Sequence, residues 1–384
     1  MQARTTVNKS RPLAEIFNPQ FPDDSDFAEQ FHDRKFPWDH GLLSRSEEFW
    51  RDHYSFLKSR GYLLRYRYSP DWIPVPPSGP KFLLDQDVDK HPGLGSVFDV
   101  DATRISDGAL VFIKKCEWKQ VNLTRKYGSE PLASDLQNHC IPLIETILVP
   151  ESPEVELVVM PYCDHWKKNP FQTVGQAVDF FSQICEVSCQ LHTKAPLPRT
   201  HLTGMYIFLD PGNILVNASP DPESRSGVQQ PVRYYLGDFE FIGTQLPCDA
   251  RSRMLVEDPQ AFVPECRSKD ALYDPFAIDV FRVAWMMSEI LDGGRRKNPD
   301  IRGFDFMRGL LADMMNDDPT KRPKMNEVVE RLDHIQSGLW WWKSRARFAA
   351  ADESFVMRFR SDVAHWAGQI IQMVKGTLAI STSL

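Results

Sequence analysis

Thiols, one strand-closing lysine and a few acidic residues at turns are the groups in this 384-residue sequence that could do chemistry. Thiols hold zinc or run redox reactions when two of them stand in a C-x-x-C pair. The seven cysteines at 116, 140, 163, 185, 189, 248 and 266 contain no such pair, and they read as reduced, mostly buried thiols. Cys185 and Cys189 lie one helical turn apart inside an apolar pattern, which is core packing. Lys114 ends the apolar run ALVFIK, Asp210 opens a D-P-G-N tetrad that ends at Asn213, and Asp238 follows the apolar run YYLG. Taken singly these are weak signals: a lysine at a strand end is commonplace, and D-P-G-N has ideal turn chemistry. Asp279 lies in the strongly apolar YDPFAIDVFRVAWMMSEI, where burial is costly unless a partner is supplied. Gly93 and Gly95 form a lone G-x-G of little weight.

The elements that must hold these groups change character along the chain. SVFDVDA and ALVFIKK flank the turn Ser106-Asp107-Gly108, which predicts strand, turn, strand, and VELVVMPY (155–162) predicts a further strand of the same small sheet. From TVGQAVDFFSQICEVSCQLH onward the pattern is helical. Thr173 and Gln176 are spaced as a capping box, and Val174, Val178, Phe181, Cys185 and Leu191 form an apolar stripe. Further helices are expected over about 276–292, 303–315 and 324–337. Residues 354–379 predict an amphipathic helix with Phe359, Val363, Trp366, Ile370 and Val374 on one face. Arg358, Arg360, Asp362 and Lys375 carry both signs on its polar side, so the apolar stripe is expected to dock on the second lobe. The division expected is an N-terminal extension (1–68), a sheet-rich part with a Pro-rich lead-in (69–160), a helix-rich part (161–340) and a helical tail (341–384).

With 42% hydrophobic and 25% charged residues the chain has the composition of a globular protein, and a net charge of −7 provides no basic field for nucleic acid. The first residues have no apolar signal region, and no run of 18 uncharged apolar residues occurs. A soluble, cytoplasmic or nuclear protein that touches neither nucleic acid nor membrane is the expectation.

The order of motifs resembles that of eukaryotic protein kinases over about residues 90 to 335. V-F-I-K (111–114) looks like the strand whose lysine neutralises the phosphates of ATP, and Asn213-Ile-Leu-Val is similar to the end of the catalytic loop. Asp238-Phe239, 25 residues beyond Asn213, resembles the D-F-G element. Val263-Pro264-Glu265 and Asp318-Pro319-Thr320-Lys321-Arg322-Pro323 resemble two motifs whose glutamate and arginine form a buried ion pair in that family. Asp279 resembles the helix aspartate that anchors the catalytic loop. NHCIP (138–142), VVMPY (158–162), GFDFMRGLLADMMNDDPTKRP and VAHW (363–366) are most similar to a divergent kinase-like family expanded in mushroom-forming fungi.

This resemblance implies an α+β, two-lobed fold with a small β-rich N-lobe and a larger helical C-lobe. It further implies ATP and Mg²⁺ as ligands: Lys114, Gly93 and Gly95 toward the phosphates, Met160, Tyr162 and Cys163 along the adenine edge, and Asn213 and Asp238 on the metal. The sequence also departs from the pattern. Phe208 stands where the catalytic aspartate belongs, Tyr206 and Ile207 replace the preceding histidine and arginine, and Asp210 replaces a lysine. Glu240 takes the place of the D-F-G glycine, and Asn122 or Glu117 stands for the helix glutamate that should pair with Lys114. A pseudokinase that binds Mg·ATP weakly and works as a scaffold for a protein partner is the expectation. The alternative is an active serine/threonine kinase whose loop is rearranged so that Asp210 is the base, with Thr244 and Ser252 as phosphorylation sites. A small-molecule phosphotransferase fits D-P-G-N-I-L but not the P-E and D-P-x-x-R-P features.

Overall fold

A computed structural model describes residues 43, 45–73, 99–150, 152–193, 205–207, 211–217, 232–237, 242–244, 263–267, 274–292 and 300–374. Two short helices, α1 (Arg45–Asp52) and α2 (Tyr54–Ser59), lead into β1 (Tyr62–Leu64). Gly61, at φ +94°, makes the turn between α2 and β1 in a backbone region that glycine enters freely. Then come β2 (Asp99–Arg104), β3 (Leu110–Glu117), helix α3 (Trp118–Gly128), β4 (Glu145–Val149) and β5 (Ser152–Pro161). The five strands form one antiparallel sheet in the order β1-β2-β3-β5-β4. The turn predicted at 106–108 joins β2 to β3: Gly108 has φ +75°, and Asp107 accepts hydrogen bonds from Arg104 Nε (2.9 Å) and the Ala109 N–H (3.1 Å).

Alternation along the strands sorts the side chains onto two faces. Val111, Ile113, Val100, Ala102, Leu157 and Val159 point to one face, where Trp50 and Leu57 from α1 and α2 and Tyr62, Leu64 and Tyr68 cover them. The division expected at residue 68 is therefore not where the packing divides. Trp50, Leu57, Tyr62, Leu64 and Tyr68 belong to the core of the sheet, because a three-residue strand and two short helices acquire their burial from partners far along the chain. Residues 74–80, most of the expected Pro-rich linker, lie outside the described residues.

The second half supplies β6 (Cys163–His165), α4 (Val174–Thr193), β7 (Met205–Ile207), β8 (Ile214–Asn217), β9 (Tyr234–Leu236) and β10 (Ile242–Thr244), followed by helices α5 (Pro275–Leu291), α6 (Arg308–Met314), α7 (Met325–Gly338), α8 (Trp341–Ser344) and α9 (Phe355–Val374). The capping box forms as expected: Gln176 N donates to Thr173 Oγ1 at 3.2 Å, and Gln176 Oε1 accepts from Thr173 N at 3.2 Å. The predicted stripe of α4 is wholly buried, against Val283 and Met287 of α5, Met314 of α6 and Val328 and Leu332 of α7. Asp274 caps α5 by accepting from Phe276 N at 2.9 Å, with Pro275 in the first turn. The protein is thus mixed α+β, with a curled antiparallel sheet and several helices, and the sheet and the helices have separate apolar clusters.

Helix α9 forms where the periodicity predicted it, but its orientation is reversed. Asp362 takes hydrogen bonds from Arg302 and from Arg347 Nε (2.8 Å), Gln369 accepts from Arg345 (2.9 Å), and His365 Nε2 donates to the Arg345 carbonyl (2.7 Å). The polar side holds the helix to the body, and Phe359, Val363, Ile370 and Val374 are exposed. The arginines that capture this face come from segments far enough upstream that α9's own periodicity carries no trace of them. No helix among the described residues is long and apolar enough to cross a membrane.

Candidate functional site

The face of the sheet opposite Trp50 and Leu57 carries the chemistry. Phe112, Lys114 and Cys116 project there by strand alternation, and the register sets Asp99 across from Lys114 and Asp101 across from Phe112. All five are buried. Asp101 accepts from Arg65 Nε at 2.9 and 2.7 Å. Asp99 is thus the carboxylate across from the lysine expected to meet phosphate, while the charge of Asp101 is matched by Arg65. Asn122 is exposed on α3 and accepts from Arg125 at 3.3 Å, while α3 turns Val121 toward this face. The position of Glu117 is described through its backbone in β3 alone.

Facing this surface is a second, three-stranded sheet in the order β6-β8-β9. Met160, the last residue but one of β5, lies opposite Phe112, and Cys163 begins β6 opposite Asn217 of β8. Between the two sheets Phe112, Met160, Cys163, Val158, Val121 and Leu215 form one apolar cluster, with Tyr162 packed at its edge, its ring centroid 6.1 Å from that of Phe112. A slot open to a planar ligand would leave its roof and floor accessible. Here Phe112 is 4% exposed, and Met160 and Leu215 are each 3%. Phe112 lies on the strand of Lys114, two residues before it, and pairs in register with Met160, so its ring packs where the two sheets meet. Burial also pushes the Cys163 thiol up to about 12, so it is inert at neutral pH.

Asn213 closes a 3-10 turn (Pro211–Asn213) at the start of β8, and its carbonyl accepts from Gly237 N at 2.9 Å. A side chain at 237 would place Cβ 2.5 Å from Leu215 Cδ1, so any other residue there would force the Leu215 side chain to shift. Antiparallel pairing is nested: β8 pairs with β9, and β7 pairs with β10 through Tyr206 opposite Gly243. These two pairings flank the stretches that carry Phe208, Asp210, Asp238 and Glu240. Those four residues, Gly93, Gly95 and Ser252 lie outside the described residues. The structure thus gathers Lys114, Met160, Tyr162 and Cys163 at one cleft and sets Asn213 two residues from its floor at Leu215. Among the described residues no group of three or more His, Cys, Asp or Glu could hold a metal ion.

Around the cleft, buried polar residues tie the parts together. Arg322 makes a bidentate pair with Glu265, both bonds 2.7 Å, and donates to the carbonyls of Asn316 (2.8 Å) and Ala277 (2.9 Å). Its guanidinium also lies 4.8 Å from the centre of the Phe281 ring. Asp279 meets His192 Nε2 at 3.0 Å, a partner from the end of α4 that no motif pointed to. Gln183 of α4 accepts from Tyr234 N (2.9 Å) and donates to Val232 O and Asp179 Oδ2, fixing the edge of β9. Desolvation pushes the buried Asp179 carboxyl up to about 7, against the bond from Gln183. Asn138 of the NHCIP segment donates to the Tyr127 and Leu132 carbonyls at 2.7 Å each, and the backbone of His139 and Ile141 bonds to Leu236 of β9.

No family model matches the chain, and no curated protein matches it.

Proposed function

We propose that this chain is a protein-kinase-like pseudokinase that serves as a scaffold for a protein partner. The observation that carries the reading is the Glu265–Arg322 pair. Two motifs picked out by their order in the sequence meet as a buried, bidentate ion pair across 57 residues, which is the relation the resemblance implies for them. The strand order, with a helix leaving the strand of Lys114, and the nested pairing of β7–β10 and β8–β9 around the Phe208 and Asp238 stretches support the same reading.

Two features argue against phosphoryl transfer as its main work. Phenylalanine at 208 can accept no proton, and a positioned base contributes about 10²–10⁴-fold to such reactions. Phe112, buried across from Met160, stands beside the place where a base would lie. Mg·ATP, expected on Lys114, Asn213 and Asp238, needs room beside that ring, so nucleotide binding is weak and coupled to opening of the cleft. Thermal shift with millimolar Mg·ATP, run on the wild type and on Phe112→Ala, tests the reading together with a phosphotransfer assay. The expected result is a smaller shift for the wild type than for the variant and no transfer by the wild type. Robust transfer that Asp210→Asn abolishes in a folded protein would overturn it in favour of an active kinase with a rearranged loop.

A further inference from the structure

Helix α9 is attached to the body by its polar side, and apart from Trp366 and Met373, which are half-buried, with Trp366 against Trp341, the described residues leave its apolar stripe uncovered, the reverse of the usual arrangement for a surface helix. Phe359 is 63% exposed, Val363 55% and Ile370 56%, and Phe355 and Val356 beside them are also exposed. Phe355, Phe359, Val363 and Ile370 border open space along this face of the helix. The side chains uncovered on α9 amount to on the order of 1,000 Å², above the ~300–600 Å² of the largest apolar patch on a typical monomer.

The spacing on this face identifies the occupant. Val356, Phe359, Val363, Trp366, Ile370 and Met373 recur at intervals of three, four, three, four and three. That is the seam of a heptad, the repeat by which one helix meets another along its length rather than lying on a flat surface. Its first positions, Val356, Val363 and Ile370, are all β-branched, and its second positions, Phe359, Trp366 and Met373, are large apolar side chains. A helix that lies on anionic lipid would be rich in Lys and Arg along its flanks. Of the residues of α9 only Arg358 and Arg360 are cationic, and Asp362, paired with Arg302 and Arg347, faces the body.

We propose that the exposed seam of α9 is a homodimer interface in which α9 of a second copy of this chain packs against it. Two such faces brought together supply area on the scale of the ~1,200–2,000 Å² that stable interfaces bury. Holding the helix by Asp362, His365 and Gln369 fixes its rotation, so the seam is presented to the partner ready-made and little ordering is needed on association. The proposal does not rest on the kinase-like reading and stands or falls separately from it.

Light scattering on the full chain at about 50 µM, a concentration chosen because dimerisation follows mass action, is the first measurement. The wild type should have twice the mass of one chain, and Val363→Glu with Ile370→Glu should have the mass of one. Both side chains are exposed in the protomer, so circular dichroism and melting of that variant should match those of a folded chain. Should it nonetheless fail to fold, Val363→Cys supplies the second test: mild oxidation should give a covalent dimer that the wild type does not give. A wild type with the mass of one chain, or a dimer that survives the double substitution, would overturn the proposal. So would a wild-type monomer that floats with phosphatidylserine vesicles and loses this in the double variant, which would assign the seam to a lipid surface.

Discussion

Replacing Arg322 by Ala tests the linkage between the two motifs most directly. The side chain of Arg322 is 0% exposed and that of Glu265 9%, so water cannot take the place of the guanidinium. Its removal strands one carboxylate and the two carbonyls of Asn316 and Ala277. Breaking a buried pair from one side costs about 3–5 kcal/mol, because the remaining charge is left without compensation. The double variant Glu265→Gln with Arg322→Met separates the contributions. It removes the stranded charge and refills most of the volume, leaving the two carbonyls at about 1–3 kcal/mol each when fully buried. Recovery of roughly 2 kcal/mol relative to Arg322→Ala is the expected outcome. Urea unfolding followed by circular dichroism reads both values from the midpoints, provided that the slopes agree. Because the pair is shielded from ions, the loss should hardly change between about 0.05 and 0.5 M salt. A loss below about 1 kcal/mol for Arg322→Ala, or a double variant no more stable than the single one, would refute the reasoning.

Phe112→Ala should cost about 3–5 kcal/mol as a large-to-small change in a core, yet gain a melting shift with Mg·ATP; a variant that stays folded without responding would show that the ring is not what keeps nucleotide out. The folded state of Asp179 binds its proton more tightly than the unfolded chain does, so the stability this group contributes is complete below the ordinary carboxylate value and is lost as pH rises from about 4 to about 7. Asp179→Asn should therefore raise the melting temperature at pH 8, by an amount equivalent to at most about 4 kcal/mol, and leave it nearly unchanged at pH 4; equal effects at both values would contradict the raised carboxyl. Phe208→Asp combined with Asp210→Lys restores a proton acceptor and removes a like charge near phosphate, and it should raise any γ-phosphate transfer above the wild type in a radiolabel assay, more so when Phe112→Ala is added.

Legibility followed the range of the interaction that makes each element. The cap and stripe of α4 were readable because Thr173, Gln176 and the apolar positions all lie within one helix. The β2–β3 hairpin was readable from its own turn, where Asp107 and Gly108 act on neighbouring residues. Glu265 and Arg322, though distant, were readable because each sits in a motif of several residues. By contrast β1 is three residues long and finds its partner in Ala102–Arg104, so nothing local marks it. Periodicity located the stripe of α9 but could not say which side meets the body, since Arg302, Arg345 and Arg347 decide that. The reading of V-F-I-K settled on Lys114 and passed over Phe112. Only the register, with Phe112 opposite Met160, puts that ring where the cleft would open. His192 was missed because a single histidine near a helix end has no pattern to distinguish it.

The arrangement of the first sheet bears on how this chain emerges from a ribosome. Trp50 and Leu57 sit in a cluster that also needs Leu64 of β1, Leu157 and Val159 of β5, and Ile147 and Val149 of β4; β1 and β4 are opposite edges of the sheet, and β4 joins it through β5. Leu64 and Val159 are 95 positions apart (159 less 64), which synthesis at ~5–20 residues per second covers in roughly 5–19 s. Throughout that interval α1, α2 and β1 carry aromatic and aliphatic side chains with no complete surface to bury them. A nascent chain stopped before β4 should bind chaperones that hold apolar segments and should be cut by proteases within the first 64 residues. One extended past Pro161, the end of β5, should resist both.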